Sequence, residues 1–121
     1  MRAVFDTNIL VDYLNGAAKA RDEIARYGQR SISLISWLEV LVGARDAEED
    51  AALRDFLAGF EVLALDRATA EEAVRLRRSH RIRLPDAVVW ATARTAGAIL
   101  VTRNTRDFPA DDPGVRVPYR P

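Results

Sequence analysis

The sequence contains no cysteine, a single histidine and a single lysine. Without cysteine there is no disulfide framework, no thiolate-ligated zinc and no thiol catalysis. His80 alone cannot run a mechanism that needs two histidines, and nothing else supports a Ser/His/Asp triad. The six glycines stand too far apart for a G-x-x-x-x-G-K phosphate loop or a dinucleotide fingerprint. A phosphoryl-accepting receiver would need a lysine after a late strand, and Lys19 is far from any such place. A haloacid-dehalogenase-like phosphatase would need a second Asp two residues beyond the first, where this chain has Asn8. No segment approaches the ~20 apolar residues of a membrane span. The first residues carry Asp6, Asn8 and Asp12 where a signal peptide would be apolar, so a cytoplasmic location is expected.

What is present is an ordinary globular composition in 121 residues, enough for a real core and read as one domain over 1–121. The 18 basic and 18 acidic residues cancel, and this balance neither favours nor excludes nucleic acid, since a local basic patch can be offset elsewhere. Apart from Lys19, every basic residue is arginine, which suits bidentate phosphate contacts and equally reflects a GC-rich genome.

Short strands alternate with helices. Residues 2–5 form an apolar strand, and Ile9, Leu10, Tyr13 and Leu14 recur at helical spacing before Gly16. Helices are expected over 17–27, from Ser36 to Ala44, 46–60, from Asp66 to about Arg81, and 85–96, with Gly97 ending the last. Strands are expected at 31–34, 62–65, 98–102 and 115–117. Ser36 followed three residues later by Glu39 matches a capping box. The pattern predicts an α/β three-layer sandwich: a central, mostly parallel sheet of four to five strands with helices on both faces. Functional groups in such sheets collect at the carboxyl ends of the strands.

Four acids sit where apolar runs end or helices start: Asp6, Glu39, Asp86 and Asp107. Carboxylates beside apolar segments are costly to desolvate. A close pair repels by about 4 kcal/mol at an effective dielectric near 20. A divalent cation turns that repulsion into binding, and oxygen ligands suit Mg²⁺ or Mn²⁺.

The elements Val4-Phe5-Asp6-Thr7-Asn8, Ser36-x-x-Glu39, Leu84-Pro85-Asp86-Ala87 and Thr102-Arg103-Asn104-x-x-Asp107-Phe108 together resemble the PIN-domain ribonucleases. More narrowly they resemble VapC-type toxins of bacterial toxin–antitoxin pairs, over nearly the whole chain and in the same order. The resemblance implies a PIN-like fold and a Mg²⁺- or Mn²⁺-dependent endoribonuclease. It implies Asp6, Glu39 and Asp86 as core catalytic acids and metal ligands, with Asp107 in the fourth acidic region. Some members carry an Asp where this chain has Asn104, which leaves open whether Asn104 or Asp107 faces the metal. Thr7, Asn8, Ser36 and Thr102 are small polar neighbours able to bond a carboxylate or a phosphate. An RNA substrate, a VapB-like antitoxin covering the acidic site and a homodimer are implied as partners, with Val11, Leu14 and Leu41 as candidate contacts.

Each acid taken singly has a structural explanation, as a helix cap, a first-turn residue favoured by the helix dipole, or a turn residue. Their joint order favours a site. The basic run containing Arg75, Arg77, Arg78, His80, Arg81 and Arg83 is read either as an RNA-phosphate track or as a solvated helix end, with Arg78, Arg81, Arg83 and, further on, Arg103 as the candidate RNA contacts. Trp37 and Trp90 are read as core residues, with base stacking secondary. Two other readings remain: a non-catalytic RNA-binding or assembly module, and a PIN nuclease outside any toxin pair.

Overall fold

A computed structural model gives the fold of residues 1–120. The described elements run β1 Arg2–Phe5, α1 Thr7–Leu14, α2 Ala18–Ala25, β2 Gln29–Ser33, α3 Leu34–Val42, α4 Ala47–Leu57, β3 Glu61–Leu63, α5 Arg67–Ser79, α6 Leu84–Thr95, β4 Ile99–Val101 and β5 Val115–Arg116. The strands form one five-stranded sheet in the order β3-β2-β1-β4-β5, with every pairing parallel.

β1 is the central strand, and the period of two along it separates two cores. Ala3 and Phe5 pack with Ile9, Leu10, Ala20, Ile24, Ile32 and Leu57, beneath α1, α2 and α4. Val4 faces the other way and packs with Ala73, Leu76, Val89, Trp90 and Leu100, beneath α5 and α6. Helices thus cover both faces, as a parallel sheet requires. α6 is apolar nearly all round because it is buried along most of its length, from Asp86 to Ala93.

Glycine is needed at two turns. Gly16 (φ +85°) and Gly97 (φ +64°) take the left-handed conformation after α1 and α6, where a Cβ would be strained.

One local expectation needs correction. α3 starts two residues before the predicted cap: Ser33 is the N-cap, its hydroxyl accepting from the Ser36 amide at 3.2 Å. Ser33 and Ser36 are both credible caps by residue type, and pairing of Ser33 with Leu63 of β3 keeps Ser33 extended. Leu41 is partly buried against the core; the exposed apolar face of α3 is Leu34, Leu38 and Val42, spaced by four. None of the described helices is long and apolar enough to cross a membrane.

Candidate active site

From β1 the chain proceeds to β2 on one side, while β4 adds on the other. This reversal leaves a crevice at the carboxyl ends of β1 and β4, the place where open parallel sheets hold ligands. Asp6 follows β1 directly and Thr102 follows β4. The two ends are tied together, the Asp6 amide donating to the Val101 carbonyl at 2.9 Å and the Thr102 hydroxyl to Asp6 Oδ2 at 2.8 Å.

Asp6 is almost wholly buried, yet its carboxylate is well supplied with donors. Oδ1 accepts from the Thr7 amide at 2.8 Å, and Oδ2 also accepts from Asn8 Nδ2 at 3.2 Å. As the N-cap of α1 it serves the structural role too. Burial dominates its titration and pushes the carboxyl up to about 6; the bonds from Thr102 and Thr7 pull the other way, while the charges of Asp86 and Glu39 add to the rise.

Asp86, in the first turn of α6, is 9 % exposed. Its Oδ2 has no hydrogen-bond partner among the described residues; Arg83 Nε stands 3.5 Å away, an ion pair too long for a good hydrogen bond. Burial raises this carboxyl, Arg83 lowers it, and the charges of Asp107 and Glu39 raise it again. A buried acid oxygen without a donor at good hydrogen-bond distance is open to a water or an ion.

Glu39 reaches the same edge from α3. The Thr7 hydroxyl lies 2.7 Å from Glu39 Oε1 and 2.9 Å from Ser36 Oγ. Its one proton belongs on the carboxylate, so the Ser36 hydroxyl donates to Thr7. Ser36 therefore orders Glu39 through Thr7 rather than by the predicted capping box.

Asp107 is set by Asn104. Asn104 Nδ2 donates to Asp107 Oδ2 at 2.9 Å, and Asn104 Oδ1 accepts the amides of Arg106 and Asp107, each at 3.2 Å. The Asn104 amide nitrogen donates in turn to the Thr102 hydroxyl at 3.0 Å. With its side-chain oxygen occupied by the loop backbone, Asn104 positions Asp107.

The structure thus brings all four acids and their small polar neighbours to one edge. Among the described residues, no three acidic or histidine side chains stand close enough to cage an ion as they are. The donor set still fits a hard divalent ion: carboxylate oxygens throughout, one of them buried and unpartnered.

The basic residues divide differently from the sequence reading. Arg103 is gripped by Asp12, with Nε at 2.6 Å from Oδ2 and Nη2 at 3.2 Å from Oδ1, and the Tyr119 hydroxyl also donates to Asp12 at 2.9 Å. Arg81 and Arg83 line a hollow beside Asp107 together with Arg77 and Arg106, and Arg78 does not. Arg77 and Arg78 both belong to the basic run read from the sequence and both are exposed in the last turn of α5; only Arg77 borders the hollow. Arg106 and the Asp12–Tyr119 clamp depend on loop paths that carry no periodic signal. Trp90 is 1 % exposed between His80 and Phe108, and Trp37 is partly buried beneath Arg54, so both pack rather than offer a free face.

A PIN-domain family model matches residues 3–110. The chain is 36% identical over 112 residues to ribonuclease VapC10 of Mycobacterium tuberculosis, covering 86% of this chain and 84% of that protein. It is 29% identical over 119 residues to a tRNA(fMet)-specific endonuclease VapC of Shigella flexneri, covering 89% and 90%. In structure it matches a chain of a toxin–antitoxin complex from Klebsiella pneumoniae with a TM-score of 0.91 and 40% identity, over 98% of both chains. A DNA-bound VapBC from Salmonella typhimurium shares the fold, with a TM-score of 0.79 at 24% identity over 96% of both chains. Sequence order, sheet topology and these matches agree: the chain belongs to the PIN-domain family, among its VapC-type ribonucleases.

Proposed function

We propose that this protein is a Mg²⁺- or Mn²⁺-dependent endoribonuclease, the toxin of a VapB–VapC-type pair, acting in the cytoplasm. The observation that carries the reading is Asp86. It is a buried carboxylate with an unpartnered oxygen, at the edge where Asp6, Glu39 and Asp107 also converge.

Asp6, Asp86 and Glu39 would hold the ion, which when bound supplies an activated water and neutralises charge on the phosphoryl oxygens. The chain's own residues prepare for it. Thr102, Thr7 and Asn8 keep the Asp6 carboxylate in one orientation, and their donors offset part of its burial cost. Thr7, backed by Ser36, aims Glu39 at the edge. Asn104 fixes Asp107 at the outer rim, where it can orient water or substrate. Arg83 tempers the charge of Asp86 without occupying its oxygen.

Two relatives bear nuclease names and a solved neighbour is part of a toxin–antitoxin complex, which supports an RNA substrate and an antitoxin partner here. Exposed Leu34, Leu38 and Val42 on α3, with Val11 and Leu14 on α1, supply apolar surface for the antitoxin or a second copy. A monomeric mass at micromolar concentration would count against a homodimer.

The test is RNA cleavage in Mg²⁺ by the protein purified free of antitoxin, with and without the small protein encoded beside it. Cutting that the neighbour suppresses, and that Asp6→Asn abolishes, supports the toxin reading. Cutting that no neighbouring gene product inhibits moves the protein to RNA processing. An Asp6→Asn variant that holds RNA as well as a wild type that never cuts makes it a binding module.

A further inference from the structure

Beside the acidic edge lies an open hollow of about 590 Å³, lined by Arg77, Arg81, Ile82, Arg83, Arg106 and Asp107. That volume is within the range of ligand clefts, about 300–1,000 Å³. Its arginines come from three places: Arg77 from the last turn of α5, Arg81 and Arg83 from the turn into α6, and Arg106 from the loop after β4. Arg77, Arg81 and Arg106 have no carboxylate partner among the described residues, whereas Arg2, Arg45, Arg75, Arg103 and Arg116 are each paired elsewhere. The dipole of α5 explains a cation at Arg77, but not the arrival of Arg106 from a separate loop.

The hollow and the acidic edge are continuous. Asp107 lines the hollow and its charge is felt at Asp86, while Arg83 lines it and stands 3.5 Å from Asp86 Oδ2. In a chain of zero net charge, an acidic edge that must receive a polyanion needs cations close by. An RNA strand with its scissile phosphate at Asp86 carries its next phosphate one nucleotide away, and arginine forks suit such a group.

We propose that this hollow is a subsite for the backbone phosphates of the RNA on one side of the scissile bond, held by Arg77, Arg81, Arg83 and Arg106. The inference rests on the ribonuclease reading and deepens it. From the basic run it keeps Arg77, Arg81 and Arg83 and leaves out Arg78; it adds Arg106 and drops Arg103, which is already occupied by Asp12.

The experiment measures binding of a fluorescein-labelled single-stranded RNA in the Asp6→Asn background across about 50–200 mM KCl. Arg77→Ala/Arg81→Ala is compared with Arg67→Ala/Arg120→Ala, which removes the same charge from exposed positions outside the hollow. The hollow variant should lose about tenfold in affinity, and its slope of log K against log salt should be shallower by about 1.4, the release expected of two phosphate contacts on a single strand. The control variant should keep affinity and slope, and unchanged thermal melting shows that all remain folded. Equal losses in both variants, or no loss in either, overturn the subsite. RNA binding retained while an acidic protein partner is released also overturns it, in favour of that partner. Cleavage by the wild type is scored separately. If wild type never cuts but the hollow variant alone loses affinity, the hydrolase reading fails and the subsite stands. If wild type cuts and the hollow variant binds normally, the subsite fails and the hydrolase reading stands.

Discussion

At Asp6 two demands meet, because the same side chain caps α1 and lies buried at the crevice. Its carboxyl is pushed from 3.8 to about 6, so the folded chain holds this proton more tightly than the unfolded one. The sign follows from linkage: the stabilising contribution is complete below the unfolded value and is lost as pH rises through about 6. The full cost of ionising it is about 3 kcal/mol. In chelator, the stability of Asp6→Asn relative to wild type should therefore rise between pH 4 and pH 7, as read by urea unfolding; a difference that stays flat would contradict the burial account. Protons and a cation compete for the same oxygens, so affinity for Mn²⁺ should climb over the same interval. Asn104 acts one bond further out. Asn104→Ala removes the donor to Asp107 and the acceptor of two loop amides, and cleavage should fall about tenfold or more. Cleavage unaffected by Asn104→Ala would mean that Asp107 needs no positioning.

Elements were legible in the sequence where periodicity was strong. β1, α1 and α6 appear close to the predicted limits, since each joins an apolar pattern to a distinct stop such as Gly16 or Gly97. The start of α3 was not legible, because Ser33 and Ser36 are equally good caps and sheet pairing of Ser33 decides between them. The distinction is testable. Ser33→Ala should cost about 1 kcal/mol of stability through the lost cap. Ser36→Ala should weaken metal affinity about tenfold, because it frees the Thr7 hydroxyl that holds Glu39. Equal losses of stability from both, with metal affinity unchanged in each, would restore the capping box and remove Ser36 from the site.

Across the whole molecule, the sheet order brings positions 6, 39, 86 and 107 to one edge. The four acids could be picked out by their places beside apolar runs, and their order carried the family resemblance. The ties that close the molecule could not, since Glu23 and Arg116 lie far apart in sequence with no pattern linking them. Burial raises the Glu23 carboxyl, but the bonds from Arg116 and Tyr27 and the charges of Arg116 and Arg26 together hold it below its usual range. Arg116→Leu leaves that buried carboxylate with only Tyr27 and a 3.6 Å contact to Arg26, and should cost about 3 kcal/mol in urea unfolding at pH 7. Because the shift is downward, the penalty should shrink as pH falls through the carboxylate range.

The central claim is that the acids of this edge act together in metal-dependent cleavage of a phosphodiester. The most direct test is the rate of cleavage of an end-labelled RNA in Mg²⁺, in Mn²⁺ and in chelator, by wild type and by Asp86→Asn at matched folding. Metal-dependent cutting by wild type, abolished by chelator and lost by at least a hundredfold in Asp86→Asn, is the predicted result. Cutting that persists in chelator, or that survives Asp86→Asn, would contradict the account.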